Sequence, residues 1–261
     1  MEDLAKILKF SQEALVNMNV DYSKIRGRKF LLITMMGASQ HFCESIYLLL
    51  SDKKVIASQA LTRSVLENWL NAKYIFVGGR NRDTLLRFVA DDEIGLMKSV
   101  KSMMEVYKAN PSLKTGMLNQ EKLQELYDIA SKRVEDIKKK HPNIIKPLPS
   151  LRERAKQIDD YNRKSRKKDP TYLLEWHYLV VYKYFCNDIH LGTRGLNGFL
   201  EQKPTGGINF VINGTAEDVE FLAHTVYALQ ADLLNMFSLQ LKFPSRTEIK
   251  PYLKRALELG K

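Results

Sequence analysis

The stretch LTRSVLENWLNAKYIF, residues 61–76, sets Arg63, Glu67 and Asn71 four residues apart among Leu, Val, Trp, Ala, Ile and Phe. On a helix these three form one line, with Glu67 and Asn71 about 40° and 80° round from Arg63. A guanidinium beside a carboxylate can stabilise phosphate charge and support acid–base work, or the two can satisfy each other inside a core. A second line lies in YKYFCNDIH, where Tyr182, Cys186 and His190 are again four apart. A third polar group, His41 with Glu44, interrupts the apolar run KFLLITMMGASQHFCESIYLLL. His190 is the candidate general acid or base, with Arg63 and Glu67 as its catalytic companions. His41, Glu44, Asn71, Tyr182 and Cys186 complete an interior network or pocket.

Helical elements must carry these residues. Residues 2–18 have one apolar side (Leu4, Ile7, Leu8, Ala14, Leu15, Met18), as an amphipathic helix does. Residues 29–50 are apolar almost all round. Gln40, His41, Glu44 and Ser45 in their middle favour a buried helix over a membrane span. The polar SDKK turn leads to a helix over 54–77 that Gly78 and Gly79 end. If these two helices form an antiparallel hairpin turning near residue 52, His41 and Arg63 stand at one height, roughly 16 Å from the turn. Further helices are expected over 82–108, 119–139, 171–190, 215–242 and 246–258. Thr215 is the expected cap of the long one, and His224 within it reads as a core residue. TGGINFVING, 205–214, is the one expected β-hairpin. The fold class is therefore all-α, a single helical domain spanning 1–261 with a basic, Pro-containing connector over about 132–169.

At 44% hydrophobic and 27% charged residues the chain can bury a core and is not disordered by composition. Its net charge of +11 is concentrated: residues 132–168 hold 14 Lys/Arg against 5 Asp/Glu. Such a block attracts phosphates through counterion release, or is simply a solvated face. The nucleic-acid contacts expected there are Lys138, Lys139, Lys140, Arg152, Arg154, Arg163, Lys164, Arg166, Lys167 and Lys168. The first residues show no secretory signal pattern. Two cysteines 143 positions apart, Cys43 and Cys186, fit a reducing cytoplasm better than a disulfide framework.

No phosphate-binding glycine loop, zinc signature, nucleophile elbow or kinase motif is present. His41-x-x-Glu44 runs opposite to the Glu-x-x-His of di-metal bundles and has no second copy, so no cofactor is expected.

The segments ALTRSVLENWLNAKYIF, RFVADDEIGLMKSV and YLVVYKYFCNDIHLGT together resemble a family of uncharacterised prokaryotic all-helical proteins, a domain of unknown function. That family's pattern is Arg-x3-Glu early and Tyr-x3-Ser-x3-His late. Arg63, Glu67, Tyr182 and His190 match it, and Cys186 stands in the serine's place. The resemblance covers about residues 30–240 and implies a helical fold without an established activity. A looser resemblance is to the HEPN group of helical ribonucleases, which carry Arg-x4–6-His on one helix and act as dimers. Before His190 stand Tyr184, Phe185 and Cys186, none of them Arg, so any arginine would have to come from Arg63 on another helix, which departs from that pattern.

Three readings follow. The first is a nucleic-acid-directed protein, an RNA endonuclease of a prokaryotic defence or stress system, acting as a homo-oligomer away from membranes. The second is a non-catalytic homodimeric interaction module with a buried polar network. The third is a small-ligand or metal pocket between the helices.

Overall fold

The apolar runs that dominate the sequence fold as a helical hairpin. Helix α1 spans Glu2–Val16, α2 Arg28–Ser51 and α3 Val55–Val77. The α2–α3 turn is tight: Lys53 and Lys54 amides bond the Leu50 and Leu49 carbonyls at 3.0 and 2.8 Å, and Lys53 takes a left-handed conformation at φ 56°. Then come α4 (Arg82–Ala109), α5 (Gln120–Lys140), α6 (Leu151–Ser165) and a single turn, α7 (Leu174–His177). The chain continues from α7 into a π-helical turn, Tyr178–Tyr182. Strands β1 (Leu200–Gln202) and β2 (Ile208–Phe210) pair antiparallel, Glu201 opposite Asn209. Two long helices close the chain, α8 (Ala216–Leu241) and α9 (Arg246–Leu259). The structure, a computed structural model, describes residues 1–18, 27–77, 82–110, 119–142, 148–165, 174–182, 200–202, 206, 208–210 and 214–259.

The fold is all-α. The expected hairpin is a three-residue ladder shifted towards the N-terminus, with only its second strand inside 205–214. The expected basic connector is largely helical, because α5 runs to Lys140 and α6 fills Leu151–Ser165. Composition hid α6: only a thin stripe that includes Ala155 and Ile158 is apolar and buried among its many charges. The expected helix over 171–190 is described only from Leu174, and the π-helical turn replaces a regular helix from Tyr178.

The chain divides into two compact units, Met1–Val77 with Leu151–Lys261, and Gly78–Ser150. In the first, α8 packs against α1, α2, α3 and α9, and α6 packs against α3 and α7. Its core is built from α1 (Leu4, Ile7, Leu8), α2 (Leu32, Met36, Ile46, Leu50), α3 (Leu66, Trp69, Leu70, Ile75) and α8 (Val226, Leu233, Leu234, Phe237). The second unit is the antiparallel pair α4–α5, keyed by Arg133 Nη1 bonding Glu93 Oε1 at 2.8 Å. Among the described residues no helix is long and apolar enough to cross a membrane.

Helix α8 starts as its sequence directs. Thr215 and Asp218 form a reciprocal capping box, each side chain accepting from the other's backbone amide. His224 is not a core residue: it is partly exposed and lies 3.6 Å from Glu220 on the preceding turn. Just before the cap, the Gly214 amide donates to the Lys53 carbonyl at 3.0 Å, docking α8 on the α2–α3 turn. A Cβ at residue 214 would be driven into the Val55 side chain. Gly214→Ala therefore costs about 1–3 kcal/mol by overpacking. Urea unfolding measures this, and Gly214→Ala paired with Val55→Ala should recover part of the loss.

Candidate functional site

The line Arg63–Glu67–Asn71 on α3 is half-buried, and every member meets another element of the same unit. Tyr182 closes it from the π-helical turn. Arg63 Nη2 donates to Tyr182 Oη at 3.1 Å, and that phenol donates to Glu67 Oε2 at 3.4 Å. The Arg63 guanidinium carbon also stands 4.9 Å from the centre of the Tyr182 ring, a cation–π distance. Behind it, Tyr178 stacks on Tyr182 with ring centres 4.9 Å apart and 19° between planes. One turn along α3, Asn71 accepts a hydrogen bond from Arg154 of α6. Tyr182 keeps only 7% of its surface exposed, so the phenol at the middle of this chain is shielded from water while Arg63 and Glu67 are half-buried.

Helix α6 holds this arrangement from behind. Asp159 is buried, and its two carboxylate oxygens accept from the Leu174 and Glu175 amides, both at 2.9 Å. These are amides of the first turn of α7, so a side chain from another helix does the work of a cap. Arg152 adds a 2.9 Å ion pair to Glu175. The position of Tyr182 thus depends on α6, which the sequence had marked only as a charged stretch.

The other expected site residues divide. His41 is exposed and does not face the Arg63 level. Its neighbour Gln40 turns inward, one residue and about 100° away. Gln40 Nε2 donates to Glu44 Oε1 at 2.7 Å and to the Leu8 carbonyl at 3.0 Å, so Glu44 belongs to a different polar group from Glu67. Cys186, His190, Arg166, Lys167 and Lys168 lie outside the described residues, as do the side chains of Arg163 and Lys164. Lys138, Lys139 and Lys140 are exposed in the last turn of α5, where basic side chains also offset the helix dipole. Arg154, expected on nucleic acid, is half-buried and committed to Asn71; Arg152 is committed to Glu175 but remains half-exposed.

Two polar groups in the same unit escaped the sequence reading. In the first, Gln230 of α8 accepts from Ser39 Oγ at 3.0 Å and donates to Gln40 Oε1 at 3.0 Å, with Cys43 Sγ at 3.7 Å. All four residues are buried. In the second, Asp232 Oδ2 accepts from the Trp69 indole and from Lys73 Nζ, both at 2.7 Å, with Lys73 5.3 Å from the Trp69 ring centre. The available signal was a Gln or Asp amid apolar neighbours on α8, which marks a buried polar residue in want of a partner.

Burial pushes the Cys43 thiol up to about 12, against a lowering hydrogen bond from Ser39. Its thiolate fraction at neutral pH is therefore negligible. Folded protein at pH 8 should leave Cys43 unlabelled by iodoacetamide, and denaturant should release it, as peptide mass spectrometry would read. Because the folded value is raised, the stabilisation from a buried thiol is full below about 9 and is lost as pH climbs towards 12.

Among the described residues no three of His, Cys, Asp and Glu gather into a metal-binding group. An open depression on α5, lined by Gln120, Glu121, Gln124, Glu125, Asp128 and Ile129, contains none of the expected site residues.

A family profile matches residues 29–208, more than half of the chain. The chain belongs to the family of unknown function DUF5677. The DUF5677 stretch contains Arg63, Glu67, Asn71, Arg154, Asp159 and Tyr182, and it ends ahead of α8. No curated protein and no solved structure matches the chain.

Proposed function

We propose that this DUF5677 chain is directed at nucleic acid and cleaves RNA, with Arg63, Glu67 and His190 as the reacting set. The observation that carries this reading is the Tyr182 hydroxyl placed between the Arg63 guanidinium and the Glu67 carboxylate in a half-buried setting. A guanidinium held by a phenol and a ring face is pre-positioned to receive the charge that grows on a phosphate in the transition state. His190 follows Tyr182 by eight residues and supplies the proton-transfer group. In the reaction, the ribose 2′-oxygen attacks phosphorus as its proton passes to a base. The bond to the 5′-oxygen breaks as an acid protonates the leaving group. Arg152 on α6, in the same unit as Arg63 and half-exposed, recruits the backbone by charge. The looser likeness to HEPN ribonucleases agrees with this chemistry, and a defence or stress role is carried by that analogy alone.

A second reading, a non-catalytic interaction module, draws support from how fully the cluster satisfies itself. The two readings part on one gel. End-labelled single-stranded RNA is incubated with wild type, Arg63→Ala, Glu67→Gln and His190→Ala at low and high salt. The nuclease reading expects wild-type cleavage, loss of about a hundredfold or more in Arg63→Ala and His190→Ala, and binding that weakens with salt. Salt-insensitive binding, or full cleavage by Arg63→Ala, overturns it.

A further inference from the structure

The cluster around Arg63 is one corner of a closed circuit of polar bonds. Arg154 ties α6 to α3 at Asn71. Asp159, five residues further along α6, ties α6 to the start of α7 through the Leu174 and Glu175 amides, both at 2.9 Å. Tyr182, at the end of the π-helical turn that follows α7, returns to α3 at Arg63 and Glu67. All of these residues lie in one unit, and the π-helical turn packs on both α3 and α6.

Arg152 and Asp159 both join α6 to α7, but unequally. Arg152 and Glu175 pair through side chains that are 56% and 30% exposed, where solvent screens an ion pair. Asp159 is 4% exposed, and each of its carboxylate oxygens takes one amide. Removing it would orphan two of the amides at a helix start. Helix α7 is a single turn, and the π-helical turn after it has five residues. A single turn has little hold of its own, and π-helical turns are rare and concentrate at functional sites. Such a segment takes its position from its anchor. Tyr182 follows Leu174 by eight residues, roughly 12 Å of helix rise, so a shift at the anchor is carried to the phenol. From there it reaches the Arg63 guanidinium, which bonds that phenol and lies over its ring.

We propose that Asp159 is a positioning residue for RNA cleavage: through Tyr182 it holds the Arg63 guanidinium where charge develops on the phosphate. Its effect on turnover rests on the nuclease reading, whereas its hold on Tyr182 does not. The test uses the full chain with 3-fluorotyrosine in place of tyrosine. The Tyr182 fluorine resonance is the one that Tyr182→Phe removes, and Arg63→Lys should move it, because the guanidinium lies over that ring. Asp159→Asn keeps the volume but replaces one acceptor by a donor. It should move or broaden the Tyr182 resonance. It should also lower kcat for single-stranded RNA by about tenfold to a hundredfold, with KM within about twofold. Gly214→Ala, destabilised away from α6 and α7, should leave the resonance and kcat as in wild type. If circular dichroism shows Asp159→Asn to be unfolded, Asp159→Glu, which keeps the charge and displaces the carboxylate by one methylene, is read in the same way. A Tyr182 resonance that Asp159→Asn or Arg63→Lys leaves unmoved, or that Gly214→Ala moves as far, overturns the inference whether or not RNA is cut. So does an unchanged kcat in Asp159→Asn when wild type cleaves. A wild type that cuts no RNA, while Asp159→Asn still moves the resonance, overturns the nuclease reading and the effect on turnover with it, but supports Asp159 as the residue that positions Tyr182.

Discussion

Trp69→Ala should lower the unfolding free energy by about 3–5 kcal/mol, the range for truncating a large aromatic in a packed core. Trp69 is among the largest fully buried side chains, and it lies on α3 where α8 packs. Its indole also holds Asp232. Trp69→Phe separates the two contributions: it keeps most of the volume and leaves Asp232 with Lys73 as its partner. The expected loss there is about 1–3 kcal/mol, since the carboxylate forfeits a charge-assisted bond. Asp232→Asn in the Trp69→Phe background should then cost less than Asp232→Asn in wild type, because that bond is already gone. Additive losses in this double-mutant cycle would show that the indole and the carboxylate are not coupled.

Gln230→Leu is the second large effect. Gln230 satisfies the Ser39 hydroxyl and the Gln40 carbonyl at once, in a place without solvent. Leucine fits the space but leaves the Gln40 carbonyl without its Gln230 partner and the Ser39 hydroxyl with only the weak 3.9 Å contact to Cys43 Sγ, which costs about 2–4 kcal/mol. Converting Ser39 to Ala in the same chain removes one of the deprived groups and should return part of the loss, while Gln40 is kept because its amide holds Glu44 and the Leu8 carbonyl. Chemical denaturation of the three proteins decides it. A Gln230→Leu protein as stable as wild type would mean that the amide network contributes nothing net.

How well the sequence foretold these features depends on whether a local pattern existed. Helices α1 to α5, α8 and α9 and the Thr215 cap were readable, because each is a matter of residues within one or two turns. His41 was misplaced for a definite reason. Helix α2 is apolar nearly all round, so its pattern has no phase, and nothing local tells whether residue 40 or 41 points inward. The partner that decides it, Gln230, is 190 positions away. The same holds for Trp69 with Asp232 and for Asn71 with Arg154, pairs made by packing rather than by spacing. Helix α6 went unread because a stripe as thin as Ala155 and Ile158 is drowned by its charges.

The order of elements also has a consequence on the ribosome. Helices α2 and α3 bury their broad apolar faces against α8, yet α3 ends at Val77 and α8 begins at Ala216. At about 5–20 residues per second, translation leaves that hairpin waiting on the order of 10–30 s for its cover. During this interval the nascent chain offers the surfaces of Met36, Ile46, Leu66 and Trp69 to whatever binds exposed hydrophobes. Gln40 and Ser39 spend it hydrated, and lose their water only when Gln230 arrives. The yield of this protein in a cell should therefore respond to chaperone capacity and elongation rate as well as to the stability of the finished fold.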